Sequence, residues 1–122
     1  MDTSRVIRQR IPLETVSRLP VYRDQLRLLT SEGVEVISSR VLAGRLGISD
    51  AQLRRDLSYL GLLGRPGVGY RVPGLLENIT QALGLDRRWS LAIVGIGALG
   101  TALARYEGFS RDNMEIAAIF DV

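Results

Sequence analysis

The sequence predicts an α+β chain of two modules, in which short helices and a glycine-rich hairpin precede a strand, a glycine turn, a helix and a second strand. Three observations support this. Two helix-capping serine patterns flank a glycine within residues 38–52, and four Gly and two Pro crowd residues 61–73. Glycines in GxGxxG spacing directly follow an apolar run at residues 89–94. The 122 residues allow one compact domain, or a small domain and part of another.

The composition excludes several kinds of chemistry. The chain has no Cys and no His, which removes disulfides, Cys/His zinc sites, thiolate nucleophiles and Ser-His-Asp hydrolysis. We therefore expect neither a catalytic nor a metal site. No apolar run reaches 18 residues, and Met1–Arg5 lacks the apolar stretch of a secretory signal. These features predict a soluble, cytoplasmic protein with no membrane partner.

The charge is distributed unevenly along the chain. All 16 basic residues are Arg; residues 1–73 carry 12 of them against 7 acids, and residues 74–122 carry 4 against 6. A net charge of +5 in front and −2 behind suggests two modules with different partners. A GC-rich or thermophilic genome could equally explain the choice of Arg over Lys, but not where the charge lies.

The first helix is predicted to begin at Ile11-Pro12, because Pro is favoured at the first helical position. Pro20 inside the segment predicts a break or kink near Leu19, and Gly33 predicts the end. The expected apolar stripe comprises Val16, Leu19, Val21, Leu26, Leu28 and Leu29.

Two further helices have the size and turn chemistry of a helix-turn-helix. The Ser38-Ser39 pair predicts the start of one helix and Gly47 its end. Ser49 with Gln52 three residues later predicts a capping box for the next, over residues 50–60. Its leucines recur at helical spacing and give one buried edge, formed by Leu53, Leu57 and Leu60. Two simply packed helices are the alternative interpretation.

Residues 61–73 cannot be helical and predict a tight β-ribbon with Arg65-Pro66-Gly67 at its tip. A ribbon directly after the second helix indicates a winged helix that reads duplex DNA. The helix would enter the major groove, where Arg54 and Arg55, projecting from its apolar edge, could grip a guanine or a phosphate. The predicted DNA contacts are Arg18, Ser49, Gln52, Arg54, Arg55, Ser58, Tyr59, Arg65 and Arg71.

An amphipathic connector helix is expected over residues 75–84, packed on the wing and leading into a second domain. We therefore place a DNA-binding domain at residues 1–84 and a nucleotide-binding domain at 85–122. The apolar run Trp89–Val94 predicts a strand that is buried on both faces. A second strand over residues 114–120 completes a βαβ unit.

The glycines between those strands have the pattern of a dinucleotide-binding turn. Gly95 would permit the tight turn, Gly97 the approach of a pyrophosphate, and Gly100 the close packing of helix on strand. Asp121 follows 21 residues after Gly100 and would accept hydrogen bonds from the ribose hydroxyls, favouring NAD(H) over NADP(H). Spacing alone leaves open FAD, coenzyme A and a turn without ligand. The predicted nucleotide contacts are Gly95, Ile96, Gly97, Ala98, Leu99, Gly100, Tyr106 and Asp121.

Two parallel strands and one helix cannot cover both faces of a sheet. We therefore expect a winged helix-turn-helix followed by only the first βαβ unit of an α/β Rossmann domain. By this interpretation the chain is a truncated piece of one about twice as long.

Residues 11–122 resemble the Rex family of redox-sensing transcriptional repressors. The stretch from Ile11-Pro12 to Tyr22 looks like the family's first helix, and Ser38-Ser39 with residues 53–61 resembles its recognition helix. Gly67–Tyr70 with Val72 is similar to its wing, and residues 93–100 with Phe120-Asp121-Val122 to its nucleotide site.

The resemblance implies a homodimeric repressor that binds operator DNA, is released by NADH and is left bound by NAD+. It also implies that Tyr106 takes part in sensing the ligand. Pro66 at the wing tip departs from the family pattern, and the exchanged C-terminal helix lies outside the sequence. An NAD-dependent dehydrogenase with an accessory helical domain is the enzymatic alternative, although no residue is a candidate proton donor. A sugar-operon type of winged-helix regulator is another, but it would not need the Gly95–Gly100 turn.

Overall fold

The computed structural model describes residues 10–121, so the predictions for Met1–Arg5 and Val122 lie outside the described residues. Contacts divide the chain into two compact units between Leu83 and Gly84. Within the described range, no helix is both long enough and apolar enough to cross a membrane. No acidic cluster in that same range could hold a metal ion.

Within residues 10–83, the first unit is a small α+β fold of four helices and two short strands. The elements in chain order are α1 (Leu13–Ser31), β1 (Val36–Ile37), α2 (Ser39–Leu46), α3 (Asp50–Tyr59), β2 (Tyr70–Arg71) and α4 (Val72–Ala82).

The first helix runs through Pro20 without a break, so the predicted break near Leu19 is wrong. Pro20 is exposed, and water can therefore serve the carbonyl of Val16, which loses its amide partner. Burial of Leu19 and Leu26 against the rest of the unit holds the helix together across the proline. The helix ends at Ser31, just before Gly33 at φ +77°, as the sequence predicts.

The core lies where α1, α3 and α4 meet. Val16, Val21 and Leu28 are exposed, so their predicted place in the apolar stripe is wrong. Polar side chains of α1 replace them on the inner face, including Thr15 and Arg23. The buried apolar residues are Leu19, Tyr22, Leu26, Leu29, Ile37, Leu42, Ala43, Leu53, Leu57, Leu60, Tyr70, Val72, Leu75 and Ile79.

The two serine caps predicted from the sequence are confirmed. The Ser38 hydroxyl accepts a hydrogen bond from the Val41 amide, and the Ser49 hydroxyl accepts one from the Gln52 amide, both at 3.1 Å. Gly47 closes α2 at φ +70°. The reciprocal half of the predicted capping box is wrong, because the Gln52 side chain donates to Asp56 at 2.9 Å instead.

The wing, residues 61–73, contains a strand that pairs with a strand far earlier in the sequence. β2 lies antiparallel to β1, with Val36 opposite Arg71 and Ile37 opposite Tyr70. The ribbon predicted within residues 61–73 is reduced to one bridge, between Arg65 and Gly69. The prediction that residues 61–73 pair mainly with one another is therefore wrong. The main hydrogen-bonding partner of this segment is β1, which precedes both helices of the helix-turn-helix.

The connector helix starts earlier than predicted, at Val72, and Pro73 occupies its first turn. Pro is tolerated there because the amide it lacks would have had no partner within the helix. α4 contacts β2 but packs mainly on α1, burying Leu75 and Ile79. Its expected packing on the wing is thus only part of its environment.

The second unit contains β3 (Trp89–Val94), α5 (Ala98–Arg105), α6 (Gly108–Arg111) and β4 (Met114–Phe120). β3 and β4 are parallel, with Trp89 beside Met114 and Val94 beside Phe120, as the βαβ prediction requires. The residues of β3 are half-buried or exposed, so the prediction of burial on both faces is wrong for this chain. The physical reason is that two strands with short helices cover little of a sheet.

Candidate nucleic-acid interface and nucleotide turn

The outer surface of α3 carries two arginines with different surroundings. Both Arg54 and Arg55 are exposed, as the sequence predicts, because Leu53 and Leu57 take the inner face. Arg54 is paired with Asp50 one turn earlier, Nη2 to Oδ2 at 2.5 Å and Nε to Oδ1 at 3.1 Å. Arg55 has no ion pair among the described residues and is available to an external anion.

A buried carboxylate joins α1 to the inner side of α3. Asp56 is fully buried. Its oxygens accept from Arg18 Nε at 2.7 Å and Nη2 at 2.9 Å, and from Thr15 Oγ1 at 2.8 Å. The Tyr22 hydroxyl and the Gln52 amide, the latter at 2.9 Å, also donate to it. The three donors on α1 thus fix the rotation of α3 relative to α1, and Gln52, which lies on α3 itself, completes the set.

Burial alone would raise the pKa of Asp56, but hydrogen bonds from Arg18, Tyr22 and Thr15 outweigh it and hold that pKa at about 2. The same contact with Asp56 raises the pKa of Arg18. Burial and the bond to Asp56 raise the pKa of Tyr22, so its phenol stays protonated and donates. Asp56 is therefore ionised at neutral pH.

An open cleft of about 440 Å³ lies between the start of α3 and the wing. The Asp50–Arg54 pair lines one side, and Arg65 with the wing backbone to Tyr70 lines the other. Ser38 and Ser39, at the start of α2, complete it, so the beginnings of two helices point toward the same groove. Such positions favour anions, because unpaired helical amides concentrate there.

Gly69, which has φ +91°, lets the wing pack closely against the backbone of Ile37 and Ser38. A side-chain carbon there would overlap the Ile37 carbonyl and lie 2.8 Å from the Ser38 Cα. Only glycine permits this approach, which places Arg65 and Arg71, both exposed, beside the helix-turn-helix.

The other predicted DNA contacts occupy varied positions. Ser49 caps α3, and the Ser58 hydroxyl donates to the Arg55 carbonyl at 2.6 Å. Tyr59 is half-buried at the last residue of α3. Arg18 and Gln52 hold Asp56 and so act inside the fold. As DNA contacts, all of these remain predictions.

The glycine turn of the second unit has the backbone that its spacing predicts. Gly95 has φ +94°, the left-handed conformation of a tight turn, and Gly97 immediately precedes α5. A side-chain carbon on Gly97 would meet nothing within 4 Å, whereas one on Gly100 would overlap the Gly95 carbonyl. The turn is therefore open at Gly97 and closely packed at Gly100, as a bound pyrophosphate requires.

Asp121 lies beside this turn. The Gly95 amide donates to the Phe120 carbonyl at 2.7 Å, which brings the residue after β4 next to the residue after β3. The Asp121 side chain is exposed. The glycine turn and the acid thus share the carboxyl edge of the parallel strands, where ligands bind in such sheets.

Tyr106 lies at the opposite end of α5 from Gly97, about 14 Å away along the helix axis. The residue is 59% exposed, and its ring packs edge-to-face on Phe109 with the ring centroids 5.1 Å apart. It does not meet the glycine turn within this unit, and its predicted part in ligand sensing remains a prediction.

Sequence reasoning missed Asp50, Asp56 and Gly69. Asp50 could have been found, because an acid four residues before Arg54 pairs readily on a helix. Asp56 falls on the same helical edge as Leu53 and Leu60, and a carboxylate on an apolar edge signals a buried partner. Nothing local in the sequence identifies that partner as Arg18.

The fold is that of a winged helix followed by the first strands and helix of a Rossmann-type unit. A family model described as "Putative DNA-binding protein N-terminus" matches residues 10–58. The chain is similar to redox-sensing transcriptional repressors named Rex. It is 50% identical over 110 residues to that of Roseiflexus sp. (strain RS-1), covering 90% of this chain and 50% of the relative. It is 48% identical over 113 residues to that of Syntrophomonas wolfei, covering 93% and 54%.

Solved structures show the same likeness. A crystal structure of RSP in complex with beta-NAD+ and operator DNA matches with a TM-score of 0.88 at 38% identity, covering 92% of this chain and 52% of that one. A structure of RSP with beta-NADH matches with a TM-score of 0.78 at 36% identity, covering 91% and 51%. Over the segment that it spans, the chain is similar to proteins of the Rex family, as the sequence resemblance predicts. It spans about half the length of the curated relatives that it matches.

Proposed function

We propose that the chain is the DNA-reading region and the first part of the NAD(H)-binding region of a redox-responsive transcriptional repressor. The observation that carries this is the presence in one chain of a cationic winged helix and an open glycine turn with Asp121 beside it. The relatives named Rex, and the RSP structures with operator DNA and with beta-NADH, support the same conclusion. These relatives are named as repressors, which favours a regulator over the dehydrogenase and sugar-regulator alternatives.

The DNA face we propose consists of the outer surface of α3 and the wing. Arg55 contacts base edges or a phosphate in the major groove, since no carboxylate among the described residues neutralises it. Arg65 and Arg71 lie beside the adjacent groove and meet phosphates. Ser49, Ser58 and Tyr59 contribute polar contacts at the two ends of α3. Arg18 holds α3 in position through Asp56, and Gln52 orients that carboxylate from within α3.

The nucleotide face we propose is the turn from Gly95 to Gly100, with Ile96, Ala98 and Leu99 presenting backbone rather than side chains. The open space at Gly97 fits a pyrophosphate, and the start of α5 supplies oriented amides. Asp121 accepts from the adenosine ribose hydroxyls and disfavours a 2′-phosphate, so NAD(H) is preferred over NADP(H). When bound, the nicotinamide supplies the redox state that is read.

Regulation requires NADH to bind unequally to the DNA-binding and DNA-released arrangements, because equal binding shifts no equilibrium. We propose that NADH favours release, that NAD+ leaves DNA binding intact, and that the full-length protein acts as a cytoplasmic homodimer. Operator DNA is then read by two recognition helices about one helical turn apart, near 34 Å.

The test is a DNA titration of the full-length protein, using a labelled duplex that it selects from a randomised pool. Fluorescence anisotropy is recorded with no nucleotide, with NADH and with NAD+ at one salt concentration. The proposal expects weaker binding with NADH alone. Equal affinity in all three titrations, or turnover of NADH with a substrate panel, would contradict it.

A further inference from the structure

One acid lies inside the cationic cleft of the first unit. Among the described residues that line this cleft, Asp50 is the sole carboxylate. It is the first residue of α3, and its oxygens meet Arg54 at 2.5 and 3.1 Å. Ser39, at the start of α2, lines the same cleft and, together with Arg54, lowers the pKa of Asp50. A negative charge in such a place would oppose the approach of DNA phosphates.

The pairing limits what Arg54 can do. A guanidinium has five N–H donors, and the contacts at Nε and Nη2 engage two of them with Asp50. The two parallel bonds hold the guanidinium plane in one orientation, leaving its outer donors pointed in a fixed direction. An arginine held in this way can donate to an acceptor at one position and cannot readily reorient toward acceptors at other positions.

We propose that Asp50 is a specificity-determining residue of the DNA interface: it orients Arg54 and repels phosphates that do not meet the other arginines. The inference rests on the proposed function. Asp50 thereby lowers the affinity for every duplex, but it lowers it least for a duplex that places a hydrogen-bond acceptor opposite the outer donors of Arg54. Asp50 therefore increases discrimination between sequences at the expense of affinity.

A purely structural role for Asp50 has a different consequence. Acids at the first turn of a helix stabilise it through its dipole. Loss of that effect would lower the melting temperature of Asp50→Asn and leave the salt dependence of DNA binding unchanged. The salt slope therefore separates the two roles.

The experiment compares the full-length wild type with the isosteric variant Asp50→Asn. Two duplexes are used, one selected by the wild type from a randomised pool and one of scrambled sequence. We expect Asp50→Asn to bind the scrambled duplex at least about threefold more tightly than the wild type does. The ratio of the affinity for the selected duplex to that for the scrambled duplex should therefore be smaller in the variant. Because Arg54 is freed to meet one more phosphate, the slope of log affinity against log salt should steepen by about one.

Two controls make the result specific. Glu77→Gln removes an exposed acid of α4 outside the cleft and should leave affinity and slope unchanged. In an Arg54→Gln background, Asp50→Asn should steepen the slope no further, because there is no arginine to free. Unchanged scrambled-duplex affinity and slope in a folded Asp50→Asn protein would overturn the inference, as would the same steepening without Arg54. Failure of the wild type to bind either duplex would instead contradict the proposed function.

Discussion

Replacing Asp56 by Asn tests the link between α1 and α3. The change keeps the shape of the side chain and removes the charge that Arg18, Thr15 and Tyr22 are arranged to bind. The pKa of Asp56 is about 2, against 3.8 for an unperturbed aspartate. At about 1.4 kcal/mol per pH unit, the native state favours the ionised form by about 2.5 kcal/mol. We expect Asp56→Asn to lose about that much stability near neutral pH.

The sign of the pH dependence follows from the lowered pKa. The stabilisation is complete above about pH 5 and is lost as the pH falls through 4 toward 2, because the unfolded chain then binds the proton more readily. The gap between wild type and Asp56→Asn should therefore shrink by about 1 kcal/mol between pH 6 and pH 3.

Urea unfolding at several pH values measures this gap. Far-UV circular dichroism follows the first unit, which holds the longest helices, while fluorescence of Trp89 follows the second unit separately. Glu77→Gln serves as the matched control and should stay within about 0.5 kcal/mol of wild type. A gap below about 0.5 kcal/mol, or one that does not change with pH, would refute the reasoning about Asp56.

Three other substitutions test single parts of the fold and sites. Arg55→Ala should weaken binding to the selected duplex by about 1–3 kcal/mol without lowering the melting temperature, since Arg55 is exposed; unchanged affinity in a gel-shift titration at fixed salt would count against the recognition surface. Gly97→Val should abolish NADH binding by calorimetry and keep the fold, because the added side chain enters open space; normal NADH affinity would reject the site. Gly69→Ala should cost more than about 1 kcal/mol in urea unfolding, because of the positive φ and the overlap with Ile37; wild-type stability would show that the wing approaches differently.

Local sequence signals predicted local structure well. The Ser38 and Ser49 caps and the Gly47 stop involve residues within four positions of each other, so their chemistry is visible in a short window. The same is true of the turn at Gly95, whose strand, helix and acid follow at fixed spacing. The local features thus predicted the helices, the turn and the strands on which the two candidate sites lie.

The errors came from interactions between distant parts of the chain. Pro20 was expected to interrupt α1, but burial of the inner face of that helix outweighs one lost hydrogen bond. The wing strand was expected to pair with its neighbours and pairs instead with Val36–Ile37, before the helix-turn-helix. Arg18 and Asp56 are 38 residues apart, and no local pattern joins them.

The most direct test of the central claim is the reciprocal effect of DNA and NADH. NADH affinity of the full-length protein is measured by calorimetry, first alone and then with a saturating amount of the selected duplex. If one protein couples the two sites, DNA must weaken NADH binding by the same factor by which NADH weakens DNA binding. NADH binding that is equally tight with and without the duplex would show that the winged helix and the nucleotide turn work independently.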